Sequence, residues 1–318
     1  MDAYVGVTDY DWYRFLAAEA PAHEEVNFWK PGSGRLLKAL QPGAPFLFKL
    51  KREHNNAIVG FGTFVRAVHL PIRLAWDYFQ RANGVPSSEQ LLRTIESYRK
   101  RFRKGSTTYS SEIGCLLIVG PVFFPPELWI RGPTNWAPSI VQGSGVNLRS
   151  PEYARIWSEC LERAQLLQLG SHTAQQIADH THARQRYGAE RSVKPRLGQG
   201  TFRATVLDAY GRACAVTTEH SIPVLEAAHI RPFSDDGLHD TSNGLLLRVD
   251  IHRLFDGGYV TVTPDGILKV SRRLEEEFNN GKVYYAMNDR PIQLPKDPRL
   301  RPDPELLRWH NEEVFANP

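Results

Sequence analysis

At 318 residues, with 42% apolar and 23% charged side chains, the chain is too long for one ordinary core and too apolar for wholesale disorder, so two globular domains are expected. The formal charge of only +4 excludes polyanion binding through the average field of the surface; any nucleic-acid contact has to come from local basic patches. Three cysteines, Cys115, Cys160 and Cys214, stand far apart without CxxC spacing, which argues against a disulfide framework and against a thiolate zinc ribbon.

The first residues, MDAYVGVTDYDWYRF, are aromatic and acidic, with no basic segment followed by an apolar run, so no secretory signal is expected there. No apolar stretch reaches the length of a membrane span, and a reducing cytoplasm is the default compartment. Pro45 to Leu50, Ala57 to Val65 and Gly114 to Val119 read as buried strands. Leu70 to Asn83 and Ser87 to Arg103 have helical periodicity, the second opening on a Ser-Ser-Glu cap signal. Helices inserted between strands predict a compact α+β or small-barrel domain over residues 1–145.

Aromatic residues are frequent in this half outside the strand cores. Tyr10 and Trp12 stand near the start, Phe28-Trp29-Lys30-Pro31-Gly32 runs into a turn, and Trp136 precedes an Ala-Pro loop. Packing alone accounts for about two thirds of such side chains, while half-exposed aromatics on loops suit stacking on an extruded base. Arg99, Lys100, Arg101, Arg103 and Lys104 surround Phe102 in a basic run. It reads equally as the solvated end of a helix and as a patch that tracks phosphates.

Residues 151–183 read as a helix with Tyr153, Ile156, Trp157, Cys160, Leu161, Leu166 and Leu167 on one face, followed by a basic loop from Arg184 to Gly200. Together 146–197 form the expected helical and basic linker, and 198–318 a second domain.

Chemistry concentrates in LEAAHIRPFSDDGLHDTSNGLLLRVDIHRLFDGGYVTV, from Leu225 to Val262. His229 falls at a strand end, Asn243 follows a polar loop, Leu245 to Leu247 is strand-like, and Asp250 to Phe255 reads as a short helix carrying His252. Phosphodiester hydrolysis needs a base to make hydroxide, a cation on the scissile phosphate and stabilisation of the leaving oxygen. A histidine near neutrality supplies the first, and one divalent cation can supply the others. His252 and Asp256, at i and i+4, project from one helical face and could hold that cation. Asp256 also reads as part of a helix stop before Gly257 and Gly258. Arg231, Arg248 and Arg253 flank the segment as phosphate-contact candidates. Taken singly, each of these residues is an ordinary surface or core side chain, His239 and Cys214 included.

The pattern AAHI, NGLLL, HRLFD resembles the HNH (ββα-metal) nuclease motif, and the run from Gly200 to Thr217 resembles what precedes this variant. The resemblance implies that His229 is the general base, that Asn243 tethers the loop bearing it, and that His252 ligates one divalent metal ion, Mg²⁺ or one of Mn²⁺, Co²⁺ and Ni²⁺. Many HNH sites carry a metal ligand just before the base, where this chain has Ala228. The missing ligand must then be Asp256, or else Glu226 or Asp250.

The order FWKPG, PFLFKLK, AIVGFGTFV, LAWDYF, IGCLLIVGPVFFPPELWI resembles the EVE domain of the PUA-like superfamily, a small β-barrel with flanking helices related to readers of modified bases. Joined to an HNH half, it resembles a modification-dependent restriction endonuclease. The resemblance implies double-stranded DNA carrying 5-methyl- or 5-hydroxymethylcytosine as substrate, a base flipped into a cage drawn from Tyr10, Trp12, Trp29, Phe64 and Trp136, a role in defence against modified phage DNA, and a homodimer to cut both strands. Three alternatives remain: a sequence-specific nuclease on unmodified DNA, a binding protein whose nuclease half is inactive, and a first domain that reads modified RNA.

Overall fold

The computed structural model describes residues 2–20, 23–32, 40–101, 107–178, 198–232 and 240–315, with side chains omitted at 101 and 168–178. Arg103, Lys104, the Arg101 side chain, His239 and nearly all of the basic loop from Arg184 to Gly200 lie outside the described residues. The chain divides into two compact units, Met1–Pro195 and Arg196–Pro318.

The first unit is built on six strands: β1 (Ala3–Thr8), β2 (Glu25–Lys30), β3 (Pro45–Leu50), β4 (Ile58–Pro71), β5 (Glu112–Phe123) and β6 (Gly143–Val146). They pair in the order β2-β5-β4-β3-β1-β6, with β1 and β3 parallel and the other pairs antiparallel. Period-two alternation splits the side chains between two cores. Tyr4, Phe46, Phe48 and Phe64 fall on one side with Trp12, Tyr13 and Leu16 of α1 (Tyr10–Glu19). Ala3, Val5 and Leu47 fall on the other with Ile156 and Cys160 of α4 (Pro151–Ala178). Between β4 and β5 come α2 (Ile72–Phe79) and α3 (Ser88–Arg101), close to the helices that periodicity predicts.

Two expectations are corrected. The sheet is not a closed barrel: among the described residues no pairing joins β2 to β6. The strand β6, Gly-Ser-Gly-Val, is four residues long with two glycines, which gives little ladder to pair with. On β2, Asn27 and Trp29 instead donate to the Oδ1 and the carbonyl oxygen of Asn83, each at 2.9 Å. The sheet nevertheless curls, because a Cβ on Gly6 of β1 would lie 3.0 Å from the Phe28 ring of β2 and 2.6 Å from Phe46. Aromatic side chains fill the interior of an open sheet.

The second correction concerns the linker. Tyr153, Ile156, Trp157 and Cys160 pack against the sheet, so the first turns of α4 belong to the first unit's core. Leu161 and Leu166, expected on the same apolar face, are 43% and 55% exposed.

The second unit opens with α5 (Gln199–Ala209), then a hairpin of β7 (Leu225–His229) and β8 (Gly244–Arg248), then α6 (Val249–Asp256) without a break. Strands β9 (Val260–Val262) and β10 (Leu268–Val270) form a second small ladder. Leu245, Leu246 and Leu247 are all buried, together with Phe202, Val206 and Leu207 of α5 and Ile251 and Phe255 of α6. The carboxy-terminal turn is fixed by His310, whose ring stacks on Phe255 at 3.6 Å, accepts from the Thr261 hydroxyl at 2.8 Å and donates to the Phe255 carbonyl at 3.1 Å.

Candidate functional site

The β7–β8 hairpin sets His229 opposite Gly244 as its last pair, so the chain leaves the ladder at the histidine and returns beside it. Asn243 closes that gap. Its Oδ1 accepts from the Arg231 amide at 2.9 Å, its Nδ2 donates to the Arg231 carbonyl at 2.9 Å, and its own carbonyl accepts from the Ile230 amide at 2.9 Å. Only a side-chain amide offers donor and acceptor together for such a two-way clamp. Asn243 is buried, and the 3₁₀ turn of residues 241–243 is capped by the Asp240 carboxylate accepting from the Ser242 amide and hydroxyl.

One face of the His229 imidazole is covered by Phe202 of α5, with ring centroids 4.0 Å apart and planes within 10°. This approach depends on the residue paired with the histidine. A Cβ on Gly244 would stand 3.0 Å from the Phe202 ring and 2.6 Å from Val206. The imidazole is half-buried, and the stack sets its plane. Sequence reasoning gave Phe202 no role; the only available signal was its place in the run preceding the motif.

Three residues up the same strand, a backbone separation of about 10 Å, Glu226 reaches α6. Its Oε2 accepts from His252 Nδ1 at 2.7 Å, and His252 Nε2 lies 3.4 Å from Asp256 Oδ2. The Asp256 carboxyl titrates above the ordinary aspartate range because of burial, opposed by His252 and reinforced by the Glu226 carboxylate. Among the described residues no group of three or more His, Cys, Asp or Glu side chains is gathered as a metal site. The donor chemistry of this corner nonetheless suits a divalent ion. His252 Nε2 and the Asp256 carboxylate stand on one helical face at i and i+4, and a ligating imidazole commonly gives its other N–H to a carboxylate. His252 and Asp256 would then be ligands, with Glu226 orienting the ring from behind.

Asp250 is taken by other work. Arg248 grips it with two bonds of 2.7 Å, the Tyr284 hydroxyl adds a third at 3.2 Å, and the Arg248 hydrogen bond holds its carboxyl below the usual range. Arg248 is likewise committed. Arg231 lies over the Trp309 ring at 5.1 Å, and Arg253 is exposed. Cys214 is a buried packing residue whose sulfur accepts from the Arg248 amide at 3.3 Å.

A cavity of about 230 Å³ opens in the first unit, lined by Trp12, Phe28, Trp29 and Tyr98 as aromatic walls and by Thr8, Asp9, Lys30, Lys51 and Gln142 as polar groups. At ~30 Å³ per water this is room for roughly seven or eight waters, the scale of one nucleobase. Of the five expected cage residues, Trp12 and Trp29 line it. Phe64 is 2% exposed inside the core, because its position on β4 faces inward. Tyr10 stacks on His54 at 4.4 Å, and Trp136 packs over the buried Lys49 ammonium at 4.8 Å while donating to the Ile140 carbonyl at 3.2 Å. Asp9 is the N-cap residue of α1, yet its carboxylate does not cap the helix and instead accepts from Lys51 and Tyr98.

In the basic run, Arg99 donates to the carbonyls of Pro31 at 2.6 Å and Glu112 at 2.5 Å, and Lys100 pairs with Glu96 at 2.9 Å. Arg99 thus bridges the end of β2, α3 and the start of β5 through backbone oxygens.

Residues 214–263 match the HNH endonuclease family, and this segment of the second unit is an HNH endonuclease domain. No curated protein matches the chain. Among solved structures, ASCH from Zymomonas mobilis is 15% identical with a TM-score of 0.31, covering 49% of this chain and 94% of its own. The modification-dependent TagI restriction endonuclease is 13% identical with a TM-score of 0.29, covering 92% of this chain and 76% of its own. No helix among the described residues is long and apolar enough to cross a membrane.

Proposed function

We propose that this HNH domain makes the chain a metal-dependent endonuclease acting on double-stranded DNA, and that the first unit directs it to modified cytosine. The observation that carries the nuclease reading is the Glu226–His252–Asp256 corner, built between the strand that ends at His229 and the helix that follows the hairpin.

In this reading His229 takes the proton from a water whose oxygen forms the new bond to phosphorus. The P–O bond on the 3′ side breaks, and the departing oxygen is protonated from solvent. His252 and Asp256 would hold one divalent ion, which would supply Lewis-acid stabilisation to the scissile phosphate. Glu226 holds His252 in the tautomer that leaves Nε2 available. Asn243 keeps the strand end, and with it the His229 edge, from drifting. Arg231 and Arg253 supply positive charge to the flanking phosphates.

The first unit, in the same reading, takes a 5-methyl- or 5-hydroxymethylcytosine flipped out of the duplex into the cavity between Trp12, Trp29 and Tyr98. The aromatic walls favour a base, and the cavity's volume favours one base over a longer ligand. One HNH site cuts one strand, so a double-strand break implies two copies of the chain, with exposed Leu161 and Leu166 of α4 as candidate contacts.

Digestion of duplexes that differ only in cytosine modification, run with Mg²⁺ and with Mn²⁺, tests both halves together. Cleavage of modified DNA that disappears in His229→Ala, with binding retained, is the expected result. Equal cutting of unmodified DNA would leave the nuclease and remove the modification reading.

A further inference from the structure

The two lysines of the aromatic cavity stand in different circumstances. Lys51 is neutralised where it stands, against the Asp9 carboxylate. Lys30, at the end of β2, meets the face of Tyr4 at 5.7 Å, and among the described residues no carboxylate acts on it. Its side chain is half-buried, and burial pushes its pKa below the usual lysine range.

A cation kept in an apolar wall without an anion is unfavourable, and a folded protein normally neutralises it, pairs it or places it in water. A neighbouring aromatic face offsets only part of that penalty. What remains is a donor on the lining of a cavity whose other polar pair, Asp9 and Lys51, is already mutually satisfied. An incoming ligand that brings an oxygen acceptor to Lys30 restores what burial removed. A ligand that brings only a methyl group does not.

We propose that Lys30 reads an oxygen acceptor on the 5-substituent of the base held in this cavity, so that cytosines bearing hydroxymethyl or carboxyl groups bind more tightly than 5-methylcytosine. This rests on the base-reading function assigned above to the cavity. Hydrogen bonds that involve a charged group contribute about 1.5–3 kcal/mol, which corresponds to roughly tenfold or more in affinity.

The test uses the full chain carrying His229→Ala, so that no DNA is cut. Fluorescence anisotropy would follow binding to short duplexes with a single central cytosine, 5-methylcytosine, 5-hydroxymethylcytosine or 5-carboxylcytosine. The expected result is about tenfold tighter binding of the two oxygenated bases than of the methylated one. In Lys30→Met that margin collapses while methylcytosine binding stays within about threefold, and Lys30→Arg keeps part of it. Removal of an unpaired cation should leave the melting temperature unchanged or raised, which separates loss of recognition from loss of fold. Uniform weakening of all four duplexes by Lys30→Met, with a shallower salt dependence, would identify a phosphate contact and overturn the proposal. Equal binding of methylated and oxygenated duplexes, both above unmodified DNA, would also overturn it but leave the base-reading function standing. Equal binding of all four by the unsubstituted Lys30 chain would remove that function itself.

Discussion

The phenyl ring of Phe202 lies parallel to the imidazole of His229 at 4.0 Å, and the contact exists because the residue paired with His229 across the hairpin is Gly244. A helix outside the motif thereby sets the plane of the candidate base. Gly244→Ala would push Phe202 and Val206 away, and Phe202→Leu would keep the apolar volume without the flat face. Both are expected to lower the cleavage rate by about ten- to a hundredfold with DNA affinity little changed. An unchanged cleavage rate with a loss of stability would reduce the contact to packing.

Glu226 is expected to tune the metal rather than to hold it. Glu226→Gln should weaken Mn²⁺ binding by about tenfold or more, as supporting carboxylates behind ligating histidines commonly do, whereas His252→Ala should abolish it. Isothermal titration of the ion in the absence of DNA reads this directly, and His229→Ala should leave the titration unaltered. Unchanged affinity in Glu226→Gln would remove its role behind His252.

Asn243→Ala deletes both bonds to the half-buried Arg231 amide and carbonyl. At about 0.5–1.5 kcal/mol net for each lost hydrogen bond, the expected loss of stability is roughly 1–3 kcal/mol. Asn243→Asp keeps the acceptor but loses the donor, so it should fall between the two. Chemical denaturation of the three chains ranks them, and a neutral Asn243→Ala would mean that the strand end is held by something else.

His310 makes stability depend on pH. Burial lowers its folded pKa from an ordinary 6.5 to about 4, so the unfolded chain binds the additional proton first. Stability is therefore fully present above about pH 6.5 and falls as the pH is lowered toward 4. A shift of this size corresponds to about 3 kcal/mol across the window. Thermal melts between pH 4 and 7 should show the slope, and His310→Gln should flatten it while lowering the plateau. The same slope in His310→Gln would assign it to other groups.

The two units differ in how openly the chain displays them. The ββα segment is local: His229, Asn243, His252 and Asp256 fall within 28 consecutive positions, and strand, loop, strand and helix follow from hydrophobic period and spacing alone. Hence the hairpin, the helix and the closeness of His252 to Asp256 were all legible before any fold was known. The cavity of the first unit was not. Asp9, Lys30, Lys51 and Tyr98 come from four separate stretches that meet only because the sheet curls, and nothing in their spacing announces it. Composition likewise could not separate Trp12 and Trp29, which line the cavity, from Phe64, which β4 turns into the core.

What the chain determined by itself is thus the set of short-range relations, fixed by periodicity, turn chemistry and the geometry of one helical turn. Tertiary structure alone decided which distant groups meet: Glu226 reaches His252 from the hairpin, Arg99 donates to backbone carbonyls beside two strands, and among the described residues no carboxylate acts on Lys30. The physical reason is that charged side chains choose partners by distance and solvent exposure after the backbone is in place, and neither quantity is written in the order of residues.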